Sequence, residues 1–252
     1  MYFTVENLAH LADGHQAIVG KYQELSARYL KHTYVSERGK EFGQHGFVRR
    51  LKSLQCCINN VYALIPPELE EPPDNETRHN AELQIQSFVF NTFGAAENLA
   101  WIWVSEKNIT KNDGTPLSDG SIGIRKEKVR ASYAEGFRAH LLALEPWFNY
   151  LESFRHSLAH RIPLYIPPYI VTHANEPAYR ELQDQIADAA RRMDFAERDR
   201  LAVEQKQWTV FRPWMQHSFI ETAQPIVFHC QMLADFNTID ELGRLLLDEL
   251  DQ

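Results

Sequence analysis

Glycine is scarce in this chain, with 11 among 252 residues, and several of those fall in one loop. An all-β fold needs many turns, so the scarcity favours helices joined by few turns. Cysteine is scarcer still, with 3 residues. Cys56 and Cys57 are neighbours in an expected helix and point to different sides, and Cys230 is far away in sequence. Small buried hydrophobes in a reducing compartment fit them better than a disulfide framework. No Cys/His set has the spacing of a zinc site. The opening segment Met1-Tyr2-Phe3-Thr4-Val5-Glu6-Asn7 lacks the basic stretch and apolar run of a signal peptide. The longest apolar-rich run, Phe88 to Val104, is interrupted by Asn91, Glu97 and Asn98, which argues against a membrane span. The expectation is a soluble, cytoplasmic protein with no membrane partner. An excess of positive charge is lacking too: the formal net charge is −8. That argues against a whole-surface electrostatic grip on nucleic acid.

Apolar residues make up 44 % and aromatics 12 % of the chain, which supplies a core and excludes a disordered composition. Charge is unevenly spread. Seven Lys/Arg face four Glu between Arg125 and Arg161, whereas six acids face one Arg from Met232 onward. A polyanion would therefore bind near the first of these segments.

Periodicity predicts an all-α helical bundle. A first helix is expected over Gln16 to His32, and a second over Gly46 to Leu64, ended by Pro66-Pro67. An acidic loop, Glu68 to Asn75, leads to a third and central helix over Asn80 to Glu106. One stripe of that helix is small or polar: Ser87, Asn91, Gly94, Asn98. Such a stripe either permits close packing or faces a polar cleft. Lys111 to Gly123 is a surface loop. A fourth helix covers Lys126 to Leu144, and Pro146 opens a fifth that ends near Arg161. Three prolines between Ile162 and Tyr169 force an extended strap. A long charged helix is predicted from Pro177 to Gln207, an extended piece or hairpin from Trp208 to Phe219, and a closing helix or helix pair from Pro225 to Leu250. The pair would break near Asn237, with an N-cap at Thr238. The strap divides the chain into a bundle, 1–162, and a C-terminal helical extension, 163–252, expected to pack as one unit.

Arg155-His156-Ser157-Leu158-Ala159-His160 is the segment that carries chemistry. On a helix, His156 and His160 lie four residues apart and share a face. Arg155 and His160 are about 140° apart around the axis, but arginine's long stem can bring its guanidinium near the imidazole. That combination suits a phosphodiester. Arginine pairs bidentately with phosphate oxygens. Imidazole, which titrates near neutrality, can take a proton from a 2′-hydroxyl or give one to a leaving 5′-oxygen.

The pattern Arg-polar-x-x-x-His resembles the R-x4-6-H motif of the HEPN superfamily, whose second position is often Asn, Asp or His. The resemblance covers about residues 80–162. It implies a helical bundle acting as a metal-independent endoribonuclease, with no cofactor and no metal. Such sites form where two copies of the motif face each other, so a homodimer is implied. A toxin or phage-defence setting with an antitoxin partner is implied as well. Arg155 and His160 would then be catalytic, with His156 assisting. Other members of the superfamily are non-catalytic modules that bind RNA, nucleotides or proteins.

Residues around the motif extend this expectation to an RNA-binding surface made of Arg161, Tyr165, Asn98 and Glu97. Glu97 and Asn98 are polar groups in an apolar helix and need partners, so one of them is a candidate for holding Arg155. Tyr165 and Tyr169 follow the motif and have rings that could stack on an unpaired base, or could dock the strap. Structural readings stand beside these. Arg155 could pair with Glu152. His160 could simply complement a helix C-terminus. His156 and His160 have metal-binding spacing but no third ligand nearby. An enzyme requires Arg155 and His160 together in an exposed cleft. A binding module tolerates their separation, and a structural role predicts that both are buried and partnered within one chain.

Overall fold

The computed structural model describes residues 2–218 and 224–251. Among them, helices form nearly all the regular structure, and the one sheet is a two-stranded ribbon. α1 runs Val5–Lys31 and starts earlier than expected, because the Thr4 hydroxyl caps it by accepting the Asn7 N–H at 3.2 Å. Its stripe Leu11, Ile18, Leu25, Tyr29 is buried. A short α2, Glu37–Glu41, runs into a π-helical turn, Phe42–Phe47, and from there into α3, Val48–Leu64. α4, Asn75–Glu106, is capped by Asp74, which accepts the Thr77 N–H at 2.9 Å. It buries residues on most of its circumference and packs against α3 and, further along the chain, α7 and α10.

The fourth expected helix is two helices, α5, Glu127–Ala131, and α6, Glu135–Ala143. Ser132 breaks it: its hydroxyl donates to the Val129 carbonyl at 2.6 Å and accepts the Trp103 indole N–H at 2.8 Å. A serine that hydrogen-bonds its own backbone competes with helix continuation. α7, Glu145–His160, has proline in its first turn and buries Phe148, Leu151, Phe154 and Ser157. The strap that follows is extended, and it buries Leu164 and Ile166 in the core.

The predicted long charged helix is also two helices, α8, Glu176–Arg191, and α9, Phe195–Gln205. Met193 takes a left-handed φ of 57°, and Asp194 caps α9 by accepting the Glu197 N–H at 3.1 Å. This hairpin has its own small cluster, Leu182, Ala189 and Leu201. β1, Trp214–Met215, pairs antiparallel with β2, Ile226–Val227. Phe219, where the expected extended piece ended, lies outside the described residues. α10, Phe228–Leu250, is continuous. No break occurs near Asn237, because the Thr238 hydroxyl folds back onto the Ala234 carbonyl at 3.0 Å instead of capping a new helix.

Phe228, Met232, Phe236, Ile239, Leu242 and Leu246 of α10 enter the same core as α1, α3 and α4, so one core runs across residue 162. α10 also anchors α7. The buried Asp235 carboxylate accepts the Trp147 N–H at 2.8 Å, the Tyr150 hydroxyl at 3.3 Å and the Gln231 amide at 2.7 Å. Among the described residues no helix is long and apolar enough to cross a membrane.

Candidate functional site

The motif occupies the last turns of α7, and two features fix its position. The Ser157 hydroxyl, fully buried, donates to the Ile162 carbonyl at 2.7 Å and ties the helix end to the strap. The strap is tied in turn to α4, whose Gln86 amide donates to the Leu164 carbonyl at 2.7 Å and whose Glu82 carboxylate accepts the Ile166 N–H at 2.9 Å. Sequence reasoning passed over Ser157. It lies on the buried side with Phe154, which orients the outer face of the helix.

His156 and His160 are on that outer face and exposed. Their ring centroids are 5.0 Å apart in an edge-to-face arrangement. Arg155 lies at the edge of the buried face, half-exposed. Its guanidinium sits over the Phe93 ring of α4, 4.7 Å from the centroid. Among the described residues it has no hydrogen bond or ion pair. The expected approach of the guanidinium to His160 within one chain is therefore not found. Two attractions draw it towards α4 instead: the face of an aromatic ring favours a cation, and the Glu97 carboxylate is close enough for its charge to be felt.

Glu97 is thus on the Arg155 side of α4, half-buried. Burial pushes its carboxyl above the ordinary value, opposed by the Ile124 N–H and by the charges of Lys126 and Arg155. It lines a cleft of about 430 Å³ with Phe93, Arg125, Arg130, Glu145 and Glu152. Two of the cations that line this cleft are matched by acids. Arg125 meets Glu145 at 2.8 Å and Glu152 at 2.7 Å, and Arg130 meets Glu145 at 3.4 Å. Glu152 therefore serves Arg125 and makes no ion pair with Arg155.

Asn98 lies elsewhere. It is buried, and its side-chain oxygen accepts the Arg50 Nε–H at 3.0 Å, across the α3 flank of α4. Its expected place beside Arg155 is corrected: α4 presents Asn91, Gly94 and Asn98 together to Arg50 of α3. Tyr165 is half-buried in the strap. Its backbone pairs with Gln216 at 3.0 and 3.1 Å, and its hydroxyl accepts the Gln216 amide. Its bonding docks the strap. Tyr169 is exposed and shares a hydroxyl–hydroxyl bond with Tyr179 at 3.1 Å. Arg161 is exposed at the C-terminus of α7. The structure thus brings His156, His160 and Arg161 to one helix end, with Arg155 and Glu97 beside them on the α4 side. It does not bring Asn98 there.

Among the described residues no three His, Cys, Asp or Glu side chains are grouped to hold a metal ion. No family model, curated protein or solved structure matches this chain.

Proposed function

We propose that this protein is a HEPN-like RNA-processing protein, a metal-independent endoribonuclease whose site is built on Arg155, His160 and His156. The observation that supports it is the state of Arg155. It is a half-exposed guanidinium resting on Phe93, without a carboxylate partner, on the same helix end as two exposed imidazoles 5.0 Å apart. A purely structural role calls for pairing within the chain, and Arg125, half-exposed like Arg155, has it.

In the reaction, the 2′-oxygen of RNA attacks the adjacent phosphorus and the bond to the 5′-oxygen breaks. One imidazole takes the 2′-hydroxyl proton and another gives a proton to the leaving 5′-oxygen. The products are a 2′,3′-cyclic phosphate and a 5′-hydroxyl. Arg155 stabilises the charge that builds on the phosphorane oxygens. Because Arg155 and His160 are not joined within one chain, a second copy facing the first would complete the site. A homodimer is part of this proposal, as are the cytoplasmic setting and an antitoxin-type protein partner.

The test is RNA cleavage with EDTA present, comparing the natural protein with Arg155→Ala and His160→Ala. Cleavage that survives chelation, leaves cyclic phosphate ends and falls about 100-fold or more in both variants is the expected result. Cleavage unchanged in both variants would overturn it. The separation of Arg155 from His160 favours a second reading, a non-catalytic module that binds RNA, a nucleotide or a protein through the same helix end. RNA binding that weakens in both variants, without cleavage, would support that reading.

A further inference from the structure

A second cation-lined cleft, about 1010 Å³, opens on the other flank of α4, between it, the π-helical turn and the start of α3. Its floor is Arg50. The guanidinium donates from Nε to Asn98 at 3.0 Å and from Nη1 to Asn91 at 3.2 Å. Both acceptors are neutral amides, and no carboxylate pairs with Arg50 among the described residues. A half-buried guanidinium without a counter-charge is costly to keep; burial here holds its pKa below the usual arginine value. Its Nη2 has no acceptor among the described residues, and Arg50 lines the cleft.

The surroundings are shaped to that guanidinium. A Cβ on Gly94 would lie 2.3 Å from Arg50 Cζ, so any other residue there would displace it. A Cβ on Gly46 would meet the Asn98 amide at 3.1 Å. Arg49 stands beside Arg50, exposed, its Nη2 donating to His45 Nδ1 at 3.2 Å and to no acid. π-helical turns concentrate at functional sites, and this one supplies His45 and Gly46.

The opposite end of the cleft carries Glu37 and Glu41 on α2, both exposed, and Arg38, whose guanidinium lies over the Trp101 ring at 4.6 Å and whose charge is met by Asp119 at 3.6 Å. Two cations at one end and two acids at the other do not suit a continuous polyanion, which Glu37 and Glu41 would repel. They suit a small ligand with one anionic group and hydroxyl or amine donors at its far end.

We propose that this cleft binds a nucleoside monophosphate. Its phosphate accepts from Arg50 Nη2 and Arg49, and its ribose hydroxyls donate to Glu37 or Glu41. The cleft volume is ample for such a ligand. The site is independent of the α7 chemistry.

The test is titration of the full-length protein with adenosine, guanosine, cytidine and uridine monophosphates, followed by calorimetry. The variants are Arg50→Gln, Arg49→Ala and Glu41→Gln, with Arg180→Gln on α8 as a net-charge control. At least one nucleotide is expected to bind. Arg50→Gln should weaken it tenfold or more, Arg49→Ala several-fold, and the control less than twofold. Arg49 is exposed, so its variant reports on the site even if Arg50→Gln lowers the melting temperature. Absence of binding by all four nucleotides would overturn the proposal, as would affinities unchanged in Arg49→Ala and Arg50→Gln. Binding of a single-stranded ten-nucleotide RNA here, lost in Arg50→Gln while no mononucleotide binds, would also overturn it in favour of a strand groove. These variants leave Arg155 and His160 intact, so failure here and failure of the nuclease reading are separately visible.

Discussion

Arg50 and Arg155 reach α4 from two of its neighbouring helices, α3 and α7, and they are held by different means. Two amide oxygens fix Arg50 at defined angles. An aromatic face supports Arg155, with a carboxylate nearby but not in contact. Amide bonds are directional, so Arg50 is a rigid donor whose open side points one way. A ring face allows sliding, so Arg155 can adjust to a phosphate or to a second copy of the chain. Arg125, close to Arg155, shows a third condition: two carboxylates meet its charge. Three arginines around one helix thus differ in what they have left to offer. That difference separates a binding cation from a structural one better than exposure does.

The comparison can be broken most severely at Arg155. Arg155→Ala should cut RNA cleavage about 100-fold or more, while Arg125→Ala leaves the rate within twofold in the same assay. Equal losses would remove the distinction between the ring-held and acid-held cations.

Next in size is the anchoring of α7 by Asp235. Burial raises this carboxyl to about 6 from an ordinary 3.8, against the hydrogen bonds from Trp147, Gln231 and Tyr150. A carboxyl raised in the fold binds its proton more tightly there than in the unfolded chain. Its contribution is therefore most favourable below the unfolded value and is lost as pH rises from about 4 to about 6. Asp235→Asn keeps one acceptor oxygen, for Trp147 and Gln231, and removes the charge, so it should stabilise the protein at pH 7 by at most about 3 kcal/mol. His229 acts in the opposite sense. Burial lowers it to about 4 from 6.5, with its ring held by the Ile65 carbonyl at 2.6 Å, so its contribution is lost as pH falls through that range. The natural protein should therefore show a shallow change of melting temperature between pH 4 and pH 6, and Asp235→Asn a steeper rise with pH. Parallel curves for the two proteins would show that the fold does not raise the Asp235 carboxyl.

Gly94→Ala sharpens the comparison on the Arg50 side. The added methyl occupies the guanidinium's place, and alanine returns about 1 kcal/mol of helix propensity. Nucleotide affinity should fall about tenfold, the amount expected for one lost charge-assisted bond, with melting temperature little changed and RNA cleavage unaffected. The smallest effect belongs to Arg125→Ala as a stability change, below about 1 kcal/mol by chemical unfolding, because its ion pairs are partly exposed.

Much of the architecture was legible because it is local. Periodicity over Gln16 to His32 marked the second half of α1, Pro146 marked the start of α7, and three prolines marked the strap. The stripe Ser87, Asn91, Gly94, Asn98 announced either close packing or a polar cleft, and the structure has both at once, around Arg50. What escaped was set by partners distant in sequence. Arg50 and Asn98 are 48 positions apart, and nothing in either local pattern names the other. The break between α8 and α9 rests on Met193 in a left-handed conformation, a place usually signalled by glycine. Thr238 looked like a cap because its neighbour Asn237 is a frequent breaker. In the fold Asn237 accepts from Lys21 of α1 at 2.6 Å, and the helix continues. At the candidate site, the six-residue motif fixed which side chains reach the end of α7. It did not fix where the guanidinium points, because Phe93 and Glu97 of another helix decide that.

The π-helical turn at Phe42–Phe47 sets a phase. An α-helix advances about 100° per residue, and a wider turn absorbs one additional residue without lengthening the rest of the helix. Were Phe42–Phe47 wound as regular α-helix with all its residues kept, α2 would be rotated by about that angle relative to α3. Glu37, Arg38 and Glu41 would then swing away from Arg49 and Arg50, although every one of those residues would still be present. The composition of the cleft is therefore encoded by residue identity, but its polarity, acids opposite cations, is encoded by the width of the turn between them.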